Sequence, residues 1–185
     1  DVDRWPEAAV LLTDTFLDEP YVIQQYGDDR PARRTKLLHH YVDEGPGAFE
    51  LILSAHDGDA LLGLLQGSYA GRCLACVRQA TAARPEDPEE ALEWEFRNEQ
   101  AAAHATQPPH GWVGKLGVSP DAQGRGVGRA LLAAAASAVR DAGGTVVLLE
   151  CQPHRDVFYE GSGYVRALTF RDPVGPDASL MRLDL

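Results

Sequence analysis

Three glycines alternate with larger residues near the middle of the chain, in the run QGRGVGR that covers residues 123–129. A turn signal, Ser-Pro-Asp, stands before this run, and a series of alanines and leucines that favour a helix follows it. Glycine allows a backbone to approach a phosphate closely, and the first N–H groups of a helix have no partner within the helix. Because the helix dipole also favours negative charge there, the pattern predicts a phosphate site between a strand and a helix.

The spacing of these glycines excludes two common phosphate motifs. A dinucleotide-binding loop has the pattern GxGxxG, whereas this loop has the pattern GxGxG and continues with Arg129. A P-loop has Gly-Lys followed by Ser or Thr, and the chain contains no such run. What remains is an anion-binding loop of another class, with a tight turn that binds nothing as the alternative.

The run from Gln123 to Gly128 fits the pattern Q-x-x-G-x-G, with LGVSP before it and ALL after it. It resembles the acyl-CoA signature of the Gcn5-related N-acetyltransferases, the GNAT superfamily. The resemblance implies that backbone amides of the loop bind the pyrophosphate of coenzyme A, and that a backbone N–H near residues 116–118 stabilises the oxyanion formed from the thioester. The residues assigned to acetyl-CoA in this way are Leu116, Gly117, Val118, Gln123, Gly124, Arg125, Gly126, Val127, Gly128, Arg129 and, from a second motif, His154.

The second motif follows an apolar run that ends at residue 151. Phe158-Tyr159 and Gly163-Tyr164 resemble the Phe-Tyr and Gly-Phe pairs of the same superfamily, and His154 stands where Asn is common. The resemblance makes Tyr159 the candidate acid that protonates the leaving thiolate. A phenol has a pKa of about 10 and therefore holds its proton at pH 7. A core tyrosine packed under the cofactor is the alternative.

Two residues could remove the proton of an attacking amine. Glu150 is a carboxylate in an otherwise apolar strand, and we expect burial to raise its pKa into the range useful for a base. A buried, hydrogen-bonded structural glutamate is the alternative. An imidazole titrates near neutrality, and His110 stands in a loop before the central strand. For His110 the alternative is a solvated loop histidine.

The elements around these residues form a strand–helix–strand unit over residues 112–151. Residues 128–141 have the apolar stripe of a helix, and residues 145–151 have the apolar run of a strand covered on both faces. Such a unit has parallel strands and a right-handed crossover. The resemblance implies the wider fold: α/β (α+β), with a mixed, mostly antiparallel sheet, this central parallel βαβ unit and helices on both faces.

The rest of the chain supplies helices and strands on either side of this unit. The predicted helices run from Pro6 to about residue 18, over residues 29–41, and from Asp87 to about His104. The predicted strands cover residues 49–55, 60–71, 164–171 and 179–185. Residues 106–111 are a predicted loop, and residues 72–84 are ambiguous. Because no repeat or low-complexity linker is visible, we expect a single domain over residues 1–185.

Composition excludes several classes of protein. The net charge is −11, whereas a nucleic-acid-binding domain carries a basic face. No apolar run approaches the roughly 20 residues needed to span a bilayer. No signal peptide is visible, although the sequence begins abruptly at Asp1. We therefore expect a cytoplasmic protein with neither a nucleic-acid nor a membrane partner.

The three cysteines indicate neither a disulfide framework nor a zinc site. Cys73 and Cys76 form a C-x-x-C pair, but no second pair follows, and structural zinc takes four ligands. Cys151 stands alone. We expect reduced thiols and no metal.

Together, the motifs predict an N-acetyltransferase that moves acetyl from acetyl-CoA directly to a primary amine of a small molecule, in a ternary complex. Pro109-His110, Leu116-Gly117-Val118, Gln123 and Glu150 resemble the small-molecule enzymes of the puromycin acetyltransferase type. Two alternatives stay open: an enzyme that acetylates protein N-termini or lysines, and a non-catalytic module that senses acyl-CoA. The sequence does not fix the oligomeric state, and a homodimer is compatible with it.

Overall fold

Six α-helices and six β-strands form the part of the chain that the computed structural model describes, residues 4–69, 83–173 and 175–185. The helices are α1 (Trp5–Phe16), α2 (Pro20–Tyr26), α3 (Arg30–Glu44), α4 (Pro88–Ala105), α5 (Val127–Asp141) and α6 (Asp156–Glu160). The strands are β1 (Leu51–Asp57), β2 (Ala60–Ser68), β3 (His110–Val118), β4 (Val146–Cys151), β5 (Val165–Phe170) and β6 (Ala178–Asp184). Cys73, Cys76 and most of the ambiguous segment lie outside the described residues, so the predictions for them stay predictions.

Besides shifts of a few residues at element ends, the structure differs from the sequence predictions in a short helix and in the position of His110. α2 is not predicted, because its seven residues, PYVIQQY, carry no long apolar period and bury one side chain, that of Val22. The loop predicted over residues 106–111 is wrong at its end. His110 and Gly111 already belong to β3, since they pair with β4.

The strands of the described residues form a six-stranded sheet in the order β1-β2-β3-β4-β6-β5. β3 and β4 pair in parallel, with residues 110–113 against residues 146–149. The pairs β1–β2, β4–β6 and β5–β6 are antiparallel. A mixed, mostly antiparallel sheet with a parallel pair connected through α5 confirms the predicted fold class.

The chain divides into two compact units. One consists of Asp1–Gly67 and Lys115–Ala135, and the other consists of Ser68–Gly114 and Ala136–Leu185. β3 and α5 each contribute residues to both units. The single domain predicted over residues 1–185 stays a prediction.

Helices α1 and α3 enclose the core of the first unit. Its buried residues include Trp5, Ala8, Ala9, Leu11, Leu12, Val22, Leu37, Tyr41 and Leu64. The indole N–H of Trp5 donates to the carbonyl oxygen of Tyr41 at 3.0 Å, which links the two helices. Gly117 of β3 lies against α1, where an added Cβ would come within 2.9 Å of Leu11. The end of β3 therefore packs closely on α1.

Helices α4 and α5 cover opposite faces of the sheet in the second unit. Phe96 of α4 packs against the cluster of buried residues that contains Val146 and Leu148 of β4. Gly111 pairs with the β4 residue between those two and therefore belongs to the other face, because side chains alternate along a strand. On that face an added Cβ on Gly111 would come within 2.2 Å of Val139 of α5. The predicted helices on both faces are thus present in this unit.

We expect Gly111→Ala to destabilise the fold by about 1–3 kcal/mol, the range for overpacked sites. The added methyl would overlap Val139 and lie 3.1 Å from the carbonyl oxygen of Ser68. Val139→Ala should relieve part of this overlap, so the double variant should be less destabilised than the sum of the two single variants. Urea unfolding of all four proteins measures this coupling.

Gly47→Ala is the matched control, because no described atom lies within 4 Å of a Cβ added there. It should change the free energy of unfolding by less than about 0.5 kcal/mol. Equal stability of the Gly111→Ala and Gly47→Ala proteins, or strict additivity of the Gly111 and Val139 changes, would contradict the packing described for β3 and α5.

Candidate active site

The glycine loop lies in the first unit, between the end of β3 and the start of α5. Gly124 and Gly126 have φ angles of +73° and +84°, which L side chains rarely adopt. No described atom lies within 4 Å of a Cβ added at either position. The side chain of Gln123 donates to the carbonyl oxygen of Val118 at 3.3 Å and so ties the loop to the strand end. The loop needs glycine for its backbone conformation, and the space beside both glycines is open.

The start of α5 supplies hydrogen-bond donors beside this loop. The helix opens with a hydrogen bond from the N–H of Ala130 to the carbonyl oxygen of Gly126, at 3.0 Å. The N–H groups of residues 127–129 precede that bond, so the helix offers them no carbonyl partner. With the dipole of α5 they form a site suited to a phosphate. These residues fit the pyrophosphate of coenzyme A.

The stretch assigned to the thioester, residues 116–118, belongs to the same unit and follows a half-buried ion pair. The ammonium of Lys115 lies 2.7 Å from the carboxylate of Glu44 and 4.4 Å from the centre of the Phe49 ring. Such a cation over an aromatic face is attracted by the ring quadrupole. Because Gly117 also packs on α1, both side-chain contacts and close packing fix this part of β3.

The carboxylate of Glu150 has two hydrogen-bond partners in the second unit. Nε2 of His104 lies 2.6 Å from Oε1, and the indole N–H of Trp112 donates to Oε2 at 2.8 Å. The side chain of His104 is 1% exposed, and that of Glu150 is 18% exposed. Both carboxylate oxygens are therefore bound, while the side chain keeps some contact with solvent.

These partners decide the protonation of Glu150. Burial alone raises the pKa of the carboxyl group. The hydrogen bond and charge of His104, together with the hydrogen bond from Trp112, outweigh burial and hold the pKa below its ordinary value. The raised pKa expected from the sequence is therefore wrong, because that expectation considered burial and not the two partners. Glu150 is a carboxylate at neutral pH.

His110 joins the same cluster. Its Nε2 lies 3.4 Å from Nδ1 of His104, and its Nδ1 lies 3.0 Å from the carbonyl oxygen of Pro108. His110 is 9% exposed and is the first residue of β3, so the prediction of a loop position is wrong. The structure brings the two candidate bases, Glu150 and His110, into one cluster with His104 between them.

Tyr159 and His154 follow β4 in the second unit. Tyr159 lies on α6 and is half-buried, with its ring centre 5.0 Å from that of Phe158 and 6.0 Å from that of Tyr164. Both ring pairs are edge-to-face, an arrangement that aromatic side chains favour. His154 is exposed in the short helical turn Pro153–Arg155. Neither position tests the role assigned to the residue, so both roles stay predictions.

His104 and Trp112 belong to the cluster although no sequence pattern singles them out as site residues. They precede Glu150 by 46 and 38 residues. The alternation of side chains does contain one signal. Trp112 pairs with Leu148, which shares a face of β4 with Glu150, so the indole and the carboxylate lie on the same side of the sheet. The sequence does not give the register between β3 and β4, so Trp112 could not be assigned to the face of Glu150 from the sequence alone.

Two further properties concern residues 4–69, 83–173 and 175–185. No group of three or more His, Cys, Asp or Glu among them is arranged to hold a metal ion. None of the helices in these ranges is long and apolar enough to cross a membrane. The thiol of Cys151 lies 3.4 Å from Asp156, and burial together with this carboxylate raises its pKa. A thiol with a raised pKa is a poor nucleophile.

Comparison with known proteins gives a family and a fold. Residues 16–164 match the model of the acetyltransferase (GNAT) family. No curated protein is similar enough in sequence to match.

Solved structures resemble the whole chain at low sequence identity, which shows the fold. One is a Corynebacterium glutamicum protein described as "histone acetyltransferase HPA2 and related acetyltransferase". It has 18% sequence identity and a TM-score of 0.67, and the match covers 100% of this chain and 93% of that one. The polyamine N-acetyltransferase of Drosophila melanogaster, which forms N-acetylagmatine, has 18% identity and a TM-score of 0.68, over 100% and 97%. The paia N-acetyltransferase of Thermoplasma acidophilum, in complex with coenzyme A, has 12% identity and a TM-score of 0.57, over 100% and 95%.

Gly126→Ala should weaken acetyl-CoA binding by about tenfold. An alanine at a φ of +84° strains the loop by roughly 1–2 kcal/mol, and the relaxed loop would no longer hold the amides of residues 127–129 in place. Isothermal titration calorimetry with acetyl-CoA measures the change in Kd.

Gly143→Ala is the matched control for this experiment. Gly143 follows the C-terminal end of α5, has the same φ of +84°, and has no described atom within 4 Å of an added Cβ. It should lose a similar free energy of unfolding and keep the parental Kd. Equal loss of binding in both variants, or parental binding by folded Gly126→Ala, would show that the glycine loop is not the phosphate site.

Proposed function

We propose that this chain, which belongs to the acetyltransferase (GNAT) family, transfers acetyl from acetyl-CoA to a primary amine of a small molecule, directly and in a ternary complex. The observation that carries the proposal is the carboxylate of Glu150, which His104 and Trp112 hold in its deprotonated form. A carboxylate with some solvent contact can accept a proton from an attacking amine.

Acetyl-CoA supplies the activated acetyl group. The glycine loop and the amides at the start of α5 support pyrophosphate binding by residues 123–129. The coenzyme A in the Thermoplasma acidophilum structure supports the same assignment by analogy. We also assign to acetyl-CoA the stretch 116–118 and His154, whose position after β4 follows the family motif.

Three groups share the chemistry in this proposal. Glu150 removes a proton from the amine, whose nitrogen then bonds to the acetyl carbon. A backbone N–H of residues 116–118 donates to the oxyanion that forms. As the tetrahedral adduct collapses, the nitrogen loses its second proton to solvent, and Tyr159 gives its phenolic proton to the sulfur as the carbon–sulfur bond breaks. Glu150 then releases its proton to solvent and the phenolate takes one up, which restores both groups. The products are an amide and a thiol.

The net charge of the chain and the analogy with related enzymes support a small cationic amine as the acceptor. The net charge of −11 attracts cationic amines, and the Drosophila melanogaster relative forms N-acetylagmatine. The likeness to enzymes of the puromycin acetyltransferase type points to the same class. A cytoplasmic location is part of the proposal, because thiols stay reduced there.

Release of coenzyme A from acetyl-CoA, followed with a thiol reagent, tests the proposed function. The panel contains polyamines, arylalkylamines and aminonucleosides, and its controls are peptides with a free N-terminus or a lysine. We expect kcat/KM for the best small amine to exceed that for any peptide by about 100-fold, a difference of nearly 3 kcal/mol in transition-state binding. Preference for a peptide would make the chain a protein acetyltransferase, and acetyl-CoA binding without release would make it a sensor.

Tyr159→Phe should lower the single-turnover rate of acetyl transfer by about 100-fold, within the range for a general acid. The change removes the hydroxyl and keeps the ring, so the edge-to-face packing on Phe158 and Tyr164 should survive. KM for acetyl-CoA should change little, because the lost interaction belongs to the transition state. Rapid-quench measurements at saturating acetyl-CoA give the rate.

Tyr164→Phe is the matched control. Tyr164 is buried beside Tyr159, and burial raises the pKa of its phenol, so it also keeps its proton at neutral pH. Its hydroxyl has no hydrogen-bond partner within the described part of the chain. This variant should keep the parental single-turnover rate. A parental rate for Tyr159→Phe would remove Tyr159 from the mechanism.

A further inference from the structure

The side chains of His110, His104 and Glu150 form a chain of three hydrogen bonds that begins at a backbone carbonyl. The carbonyl oxygen of Pro108 accepts a hydrogen bond from Nδ1 of His110 at 3.0 Å. Nε2 of His110 faces Nδ1 of His104 at 3.4 Å, and Nε2 of His104 faces Oε1 of Glu150 at 2.6 Å. A carbonyl oxygen can only accept, so Nδ1 of His110 carries a proton.

The number of protons in this chain follows from the same rule. Each contact needs one proton, because two lone pairs or two N–H groups that face each other do not bond. Three contacts therefore hold three protons, whereas two neutral imidazoles hold two. The third proton either charges an imidazole beside the Glu150 carboxylate or resides on Glu150 itself. In all these arrangements the cluster has no net charge.

The distances place this third proton on His104. The indole N–H of Trp112 donates to Oε2 of Glu150 at 2.8 Å, which favours the carboxylate over the acid. The contact between His104 and Glu150 is the short one, as expected for a hydrogen bond between an imidazolium and a carboxylate. The contact between the two histidines is longer, as expected for a bond to a neutral imidazole.

The described groups around Glu150 come from α4, β3 and β6. His104 of α4 and Trp112 of β3 contact Glu150, and His110 of β3 contacts His104. In the sheet, Glu150 of β4 pairs with the apolar Leu180 of β6. The charged side chains of β6 are Arg182 and Asp184, which bond to each other, and Arg182 also donates to the side-chain oxygen of Gln107 at 2.6 Å.

We propose that His104 is a positioning residue that keeps Glu150 as a carboxylate by carrying the positive charge beside it, and that His110 holds His104 in that state by accepting its second N–H. The effect on acetyl transfer rests on the proposed function, whereas the proton positions do not. Without the charge on His104, burial would dominate and Glu150 would take up a proton as the pH falls. The base would then be lost at low pH and recovered at high pH.

His104→Gln tests the effect on catalysis, because glutamine can still donate a hydrogen bond to Glu150 and cannot carry the charge. The ratio of the variant's single-turnover rate to the parent's is measured from about pH 6 to pH 9 with the best amine of the panel. We expect a loss of about tenfold or more at the acid end and a rate within about threefold of the parent at the alkaline end. Ionisation of the amine affects both proteins equally and cancels in the ratio. A loss that is the same at every pH, or no loss, would overturn the proposal.

A second measurement needs neither turnover nor acetyl-CoA. In the protein labelled with ¹⁵N-histidine, NMR should show His110 with its proton on Nδ1, and His104 with protons on both nitrogens at neutral pH. Glu150→Gln should remove one proton from His104, while exposed His39 on α3 serves as the reference signal. A neutral His104 in the parent, or a His110 that carries its proton on Nε2, would overturn the proposal. Because this result does not depend on an acceptor, it separates failure of this inference from failure of the proposed acetyl transfer.

Discussion

A carboxylate inside an apolar sheet must be satisfied by hydrogen bonds, because a buried charge without partners is costly. Glu150 meets this constraint through a donor from α4 and a donor from β3. The constraint therefore fixes three elements together: the end of α4, the start of β3, and β4 itself. Phe96 of α4 packs against the cluster of buried residues from β4, β5 and β6, and His104 near the end of the same helix reaches the carboxylate. In the second unit, core packing and the protonation of the candidate base are consequently coupled, and a change that shifts α4 also changes the charge of Glu150.

The glycines of this fold meet two different physical requirements. Gly124 and Gly126 have positive φ angles in open space, so their requirement is conformational. Three other glycines have no positive φ angle: Gly63, Gly111 and Gly117. A Cβ added at any of them would come within 3 Å of a helix side chain. Their requirement is close approach of a helix to a strand. The first kind can be read from a local motif, whereas the second kind depends on which helix covers the strand and is visible only in the folded chain.

The sequence predicts the features that depend on local motifs and misses those that depend on contacts in the folded chain. The strand–loop–helix–strand unit could be predicted, because its turn, glycines and apolar periods are all local signals. α2 could not, since it is short and its helical form depends on burying Val22 in the core of the first unit. Glu150 was recognisable as a carboxylate in an apolar strand, but its protonation was not. That property depends on His104 and Trp112, whose distance along the chain hides them from any pattern in the sequence.

A protein that handles an activated acetyl group also presents its own amines to that group. Lys115 directly precedes the stretch assigned to the thioester, and its ammonium is bound by Glu44 and covered by the ring of Phe49. A nitrogen that is protonated and paired has no free lone pair with which to attack a carbonyl. The ion pair with Glu44 therefore favours the protonated form of Lys115, so the fold keeps this internal amine in a form that does not attack a carbonyl.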